Sequence, residues 1–175
     1  MTFRISMYRP ALVGFLVLIS ASAVAAQATS SENKASAQVN VTGVLAGHAI
    51  GTDQAGILQA AGSGTGTASH IGHFRYLIQA TVNSAGNSEG VFLLVFSDGD
   101  VIYGSLVGHG PAPPPPPPEP VRITEQLTIT GGTGRFQGSS GTITLNRVLD
   151  LSTEPNYDSH SGTLTGTISF SRSSK

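Results

Sequence analysis

The sequence predicts an all-β fold, a single antiparallel up-and-down barrel of about eight strands, on three observations. Successive segments alternate apolar and polar residues with a period of two, as in Val121, Ile123, Glu125, Leu127 and Ile129 against Arg122, Thr124, Gln126, Thr128 and Thr130. Glycine supplies 22 of the 175 residues, and turn-forming Asn, Asp and Gly fall between the alternating segments. No long stretch repeats at the helical period, and short links between neighbouring strands favour an up-and-down barrel over a Greek-key sandwich. Closure also removes the exposed edges that endanger so strand-rich a chain.

At the N-terminus Arg4 and Arg9 flank the start of a short apolar core, residues 11–19, and small residues lead on to Ala23-Val24-Ala25 or Ala26-Gln27-Ala28. That order predicts a cleaved secretory signal peptide over residues 1–28. The apolar core is far short of the roughly 20 residues a membrane-spanning helix needs. The mature chain is therefore expected to carry no membrane segment and to be secreted or periplasmic. About 147 residues remain, enough for one domain with a sizeable core. The formal net charge of −1 becomes about −3 as Arg4 and Arg9 leave. No basic patch remains for nucleic acid and no acidic tract for cations. The chain has no cysteine, which excludes a lipid-modified cysteine anchor, disulfides and thiolate zinc sites.

Residues 29–37 are small and polar and read as a flexible leader, with the barrel domain following over 38–175. Gln38 to Leu45 alternates, Val39, Val41 and Leu45 sharing a side. Ala46 to Ala68 is rich in Gly, Ala and Thr, a loose region with room for one strand around 56–60. His70-Ile71-Gly72-His73 leads into a strand whose Phe74, Tyr76, Ile78, Ala80 and Val82 share a face. Asn83–Asn87 is a turn. Gly90 to Ser97 is apolar on both faces, so a second cover is expected, from another subunit or a packed-down loop. Asp98-Gly99 signals a turn, and Val101, Tyr103, Ser105 and Val107 mark one face of the return strand. The proline-rich stretch 111–120 predicts polyproline II, about 3.1 Å per residue. Neither side of it holds enough strands for a covered sheet, so it reads as a stiff loop within one domain. After residues 121–150, Leu151–Ser161 reads as a polar loop and Gly162–Ser171 as the last strand, with Leu164, Ile168 and Phe170 facing one way.

Residues 121–150 are expected to form a hairpin in which Ile129 faces Ile143, Leu127 faces Leu145, Glu125 faces Arg147 and Ile123 faces Leu149. Its oily side would then carry one acid and one base side by side.

The link between these two strands is Gly131-Gly132-Thr133-Gly134, followed by Phe136 and Gly141. It resembles the GGTG-x-F-x4-G signature of the allene oxide cyclase and dirigent barrel superfamily, and Thr67–Gly72 is similar to a recurring stretch of its bacterial secreted members, many without assigned activity. The resemblance implies an eight-stranded antiparallel barrel with an apolar cavity for a small hydrophobic substrate, often assembled as a trimer. The motif is a structural turn and carries no catalytic residue with it. On the residues alone, the glycines suit a tight corner with positive φ, and Phe136 is placed to plug one end of the barrel. A phosphate-binding loop does not fit, since Gln137 stands where a glycine is needed and no helix follows.

Glu125 and Arg147 are the most informative polar pair. They could orient a ligand at a cavity wall. The reading as a buried structural ion pair is favoured, since a neighbouring guanidinium favours the ionised carboxylate and makes it a poor general acid. Tyr76 and Tyr103 are the further cavity candidates. His70 and His73 have an odd spacing that sends them to opposite faces of a strand, so no metal site is predicted. Gly86-Asn87-Ser88-Glu89-Gly90 spells a nucleophile elbow but precedes a strand, and Asp158 and His160 fall in an apparent loop, so a serine hydrolase is disfavoured. No cofactor is expected.

The leading expectation is an exported barrel that binds a small apolar molecule or acts as an oligomeric scaffold without catalysis. A cyclase- or dirigent-type enzyme steering a reactive apolar intermediate is the first alternative. A surface interaction module working through its polyproline loop is the second.

Overall fold

The computed structural model describes residues 36–116, 118–151 and 158–171. The predicted signal peptide, nearly all of the predicted leader and residues 152–157 of the predicted last loop lie outside them. Eight antiparallel strands close into a barrel in sequence order: β1 (Ser36–Gln54), β2 (Ile57–Ala68), β3 (Gly72–Val82), β4 (Asn87–Phe96), β5 (Val101–His109), β6 (Val121–Gly132), β7 (Ser140–Asp150) and β8 (Asp158–Ser171). Each strand pairs with its sequence neighbours, and β8 returns to β1 from Ser36↔Ser171 to Ala49↔Asp158. The proline-rich stretch connects β5 to β6, which are adjacent in the barrel.

The alternation read in the sequence is the inside–outside pattern of the barrel. Phe74, Tyr76 and Ile78 of β3, Leu127 and Ile129 of β6, Ile143 and Leu145 of β7, and Leu164 and Ile168 of β8 are all buried in one core. The loose region predicted between Ala46 and Ala68 is instead a long hairpin, β1–β2, turning at Ala55 and Gly56, both with positive φ. Its inner positions are Gly43, Leu45, Gly47, Ala49 and Gly51 on β1 and Ala60, Gly62, Gly64, Gly66 and Ala68 on β2. Small side chains there leave no apolar alternation to read. They are small because rings of the neighbouring strand β3 lie against bare backbone: a Cβ on Gly66 would sit 2.5 Å from the ring of its paired residue Phe74.

Two further expectations change. The β6–β7 register is displaced by two residues: Leu127 faces Ile143, Glu125 faces Leu145, Ile123 faces Arg147 and Ile129 faces Gly141. A two-residue slip keeps every side chain on its face, so the sequence pattern fits both registers equally. Tyr103, expected to line the cavity, is 44% exposed on the outside. A bulge at Thr130 breaks the β5–β6 ladder, so that Tyr103 pairs with Gly131 while Gly104 pairs with Ile129. The Tyr103 ring then covers Gly131, whose Cβ would lie 2.5 Å from the phenol oxygen. The inner residues of β5 are Ile102, Gly104, Leu106 and Gly108. On β4 the inner face holds Ser88, Phe92, Leu94 and Phe96, while Val91 on the outer face stays 55% exposed.

The β6–β7 link closes one end of the barrel. A short 3-10 turn, Gly134–Phe136, drives Phe136 into the lumen, with ring centroids 4.5 Å from Phe96 and 5.9 Å from Phe170. The Arg135 guanidinium covers Phe96 and Phe136 at 5.0 and 4.7 Å and donates to the Ile71 carbonyl at 3.3 Å. The Arg135 backbone N–H donates to Asp100 Oδ2 at 3.0 Å, tying this link to the β4–β5 turn. Gly134 (φ +53°) and Gly141 (φ +147°) adopt conformations that side-chain-bearing residues avoid.

Candidate functional site

Among the described residues, the other end of the barrel is open. There the inner faces turn from bulky to small, and a cavity of about 400 Å³ runs down from the mouth. Its walls are mostly apolar, with Ala60, Ile78, Ala80, Val121, Ile123 and Leu149 among them. Asp53, Asn83, Gly86 and Asp158 stand at the mouth together with the start of the proline stretch, residues Pro111–Pro114. That stretch is held over the opening where the Gly110 N–H donates to the Gly86 carbonyl at 2.9 Å. Burial, with Asp150 adding to it, holds the Asp158 carboxyl above the usual carboxylate range.

Glu125 and Arg147 belong to this cavity. Because of the displaced register they sit diagonally rather than opposite, and the long arginine spans the offset. Its Nε donates to Glu125 Oε2 at 2.8 Å and its Nη2 to Oε1 at 2.6 Å. This is a two-pronged, charge-assisted pair with Glu125 only 1% and Arg147 7% exposed. Both carboxylate oxygens are engaged, so the pair is a neutral unit with one donor group, Arg147 Nη1, outside these two bonds. That Nη1 turns toward Gly62, 3.5 Å from where a Cβ would stand.

Ser88 lies two strands away from Glu125 on the same level: Ser88 pairs with Gly108, and Gly108 with Glu125. A Cβ on Gly108 would lie 2.6 Å from both the Ser88 Oγ and the Glu125 Cγ. Ser88 lines the cavity, is 9% exposed, and its Oγ has no hydrogen-bond partner among the described residues.

Beside the ion pair lies a second polar couple. Gly47 pairs with Gly64, Gly64 with Tyr76, and Gly47 with His160. The two glycines let the Tyr76 hydroxyl pass over the β1–β2 backbone, where a Cβ on Gly64 would lie 2.8 Å from it. The hydroxyl thereby bonds His160 Nε2. Burial, against the pull of Arg147, pushes the Tyr76 hydroxyl up to about 12. Burial and the charge of Arg147 bring His160 down to about 4. Both groups are neutral near pH 7. His160 Nδ1 has no hydrogen-bond partner among the described residues.

Of the residues singled out in the sequence, Glu125 and Arg147 are thus brought together at the cavity wall. Tyr76 is buried among the core residues beside His160 and is not part of that wall, and Tyr103 is on the opposite side of the sheet. Gly131, Gly132, Gly134, Phe136 and Gly141 build the closed end. His70 occupies the β2–β3 turn with φ +65° and His73 is exposed on β3. Among the described residues no three His, Cys, Asp or Glu side chains gather as metal ligands. Gly86 ends a turn and Ser88 is within a strand, with no helix following.

Three residues weighed in the sequence only as parts of a disfavoured nucleophile elbow and loop are placed differently by the structure. Asp158 and His160 fall not in a loop but in β8, which starts four residues earlier than expected. Counting back by twos from Ile168 and Leu164 through Gly162 puts His160 inside. Ser88 shares the parity of Phe92, Leu94 and Phe96, which would have placed it inside in the same way.

Comparison of the chain with family models, with curated proteins and with solved structures returns no match.

Proposed function

We propose that the protein is an exported barrel whose lumen takes up a small, largely apolar molecule. The observation that carries this reading is the open cavity of about 400 Å³ with mostly aliphatic walls, within the size and character of small-molecule sites. Below the polar groups of its mouth, Ser88 and Glu125 share one level, which fixes a guest's orientation rather than its affinity. The resemblance of Gly131–Gly141 to the allene oxide cyclase and dirigent turn supports the same assignment, and the sealed end built by that turn is in keeping with it. Export rests on the signal-like residues 1–28. An aqueous rather than lipid setting is supported by the outer face of β6–β8, where Thr, Gln, Asn and Ser face out and apolar residues face in, the reverse of a membrane barrel. The exposed Leu77, Val91, Tyr103 and Val107 on the outside of β3–β5 favour a homo-oligomer, trimeric by the resemblance.

Mass spectrometry of small molecules released from the folded protein tests the reading directly. The environment-sensitive dye N-phenyl-1-naphthylamine supplies a second test. It should brighten on binding the wild-type chain, and Ala80→Phe, which fills the cavity from β3, should abolish the signal while leaving far-UV circular dichroism unchanged. Equal brightening by both proteins would remove the lumen as the site.

A second reading, a cyclase- or dirigent-type enzyme, is favoured by the placement of Glu125 and Arg147 at the cavity wall. Catalysis there would rest on holding a reactive apolar intermediate in one conformation away from water.

A further inference from the structure

The polar groups of the lumen define which apolar molecules fit it best, given that the lumen binds small molecules at all. A fixed charge entering the cavity would be buried without a counterion. The carboxylate of Glu125 is already consumed by Arg147 through two bonds of 2.8 and 2.6 Å, and the pair as a whole is neutral. Tyr76 and His160 are also neutral near pH 7. An anion would also pass Asp53 and Asp158 at the mouth. A cation reaching the same level would meet Arg147. Burial of an unpaired ion is far more costly than burial of a hydrogen-bonded neutral group.

The lumen is not indifferent to polarity, however. Ser88 Oγ is a hydroxyl that lines the cavity, is buried, and has no partner among the described residues. This hydroxyl can donate a hydrogen bond, and among the described residues it has donated none. A buried donor left without an acceptor costs free energy that a guest's acceptor would recover.

We propose that the cavity selects uncharged molecules with an apolar body and one carbonyl or hydroxyl oxygen, which accepts a hydrogen bond from Ser88 Oγ. The apolar part lies against Ile78, Ala80, Ile123 and Leu149 toward the mouth, and the oxygen points down to the Ser88–Glu125 level. Hydrocarbons of the same shape leave this donor unsatisfied. Carboxylates of the same shape add an uncompensated charge.

The experiment is competition against N-phenyl-1-naphthylamine on the full mature chain with three naphthalenes of one shape: 2-acetylnaphthalene, 2-ethylnaphthalene and 2-naphthoate. The ketone should bind at least about fivefold tighter than the ethyl compound although it is the less hydrophobic of the two, and the carboxylate weakest of the three. Ser88→Ala removes a hydroxyl that has no partner among the described residues, so the fold should survive. It should shrink the ketone-over-ethyl preference about three- to tenfold. A wild-type protein that binds the dye but takes the ethyl compound or the carboxylate as tightly as the ketone overturns this inference and leaves the lumen reading standing. So does an unchanged preference in Ser88→Ala. Failure of the dye and all three naphthalenes to bind overturns both.

Discussion

Replacing Glu125 with Gln leaves the Arg147 guanidinium buried against one neutral acceptor in place of a carboxylate. Breaking a buried pair from one side typically costs about 3–5 kcal/mol, so Glu125→Gln should lower the free energy of unfolding by roughly that amount in a urea titration, with the strand signal in circular dichroism kept. The double variant Glu125→Leu, Arg147→Met should recover most of the loss, because the unpaired charge is then gone. Unchanged stability in the single variant would mean that the pair is solvated. The neighbouring Tyr76–His160 couple sets a pH window of its own. His160 is depressed in the folded chain from 6.5 to about 4, so the unfolded chain binds more protons between those values. Its contribution to stability is complete above pH 6.5 and is lost as pH falls toward 4. Tyr76 is raised from 10.0 to about 12, so its contribution is complete below pH 10 and is lost as pH rises toward 12. Unfolding free energies should therefore form a plateau between about 6.5 and 10, falling on either side by at most about 1.4 kcal/mol per pH unit per group. His160→Asn should flatten the acid side alone.

At the scale of the strand and turn, glycine has two distinct uses that substitution separates. Gly72, with φ +85° and open space where a Cβ would go, should lose only about 1 kcal/mol on mutation to Ala, the conformational term alone. Gly141, with φ +147°, would thrust a Cβ onto the Thr167 carbonyl across the β7–β8 ladder. Gly141→Ala should cost roughly 3 kcal/mol or more, and thermal unfolding of the two variants gives the comparison. The same division explains what the sequence could and could not say. Alternation at β3, β6, β7 and the second half of β8 is carried by large apolar residues, and each face was assigned correctly from parity. At β1–β2 the inner residues beyond Leu45 are Gly and Ala, which leave room for rings such as Phe74 and Tyr76 on the paired strand, and a small residue carries no periodic signal. Register at β6–β7 was legible only modulo two, because Ile, Leu and Thr recur so regularly that a shift by one pleat gives equally good pairs. The bulge at Thr130 has no local signature beyond the glycines after it, and Tyr103 lies outside because β5 alternates without a break, with Ile102, Gly104, Leu106 and Gly108 inside. Glu125 and Arg147 were found because a charge on an oily face breaks a pattern. Ser88 and His160 carry no such break, so the sequence reads them as an elbow serine and a loop histidine rather than as inward-facing strand residues.

For the molecule as a whole, the strand order and the contrast between its two ends matter most. The closed end gathers Phe136, Phe96 and Phe170 under Arg135, and the open end gathers small residues under the start of the proline stretch. Removing the plug by Phe136→Ala should cost about 3–5 kcal/mol, read from denaturant midpoints, because Phe136 is fully buried and its neighbours are strands that cannot collapse inward. Replacing Pro111–Pro114 with Gly and Ser should leave stability nearly unchanged, since these residues are exposed on their outer side. It should instead alter traffic. Among the described residues the vessel is stoppered at its base and open above, so a guest taken up as proposed would depart along the route by which it arrived. Arrival and departure then share one barrier, and relaxing the doorway should quicken both rate constants in stopped-flow by a similar factor while the equilibrium between them hardly moves.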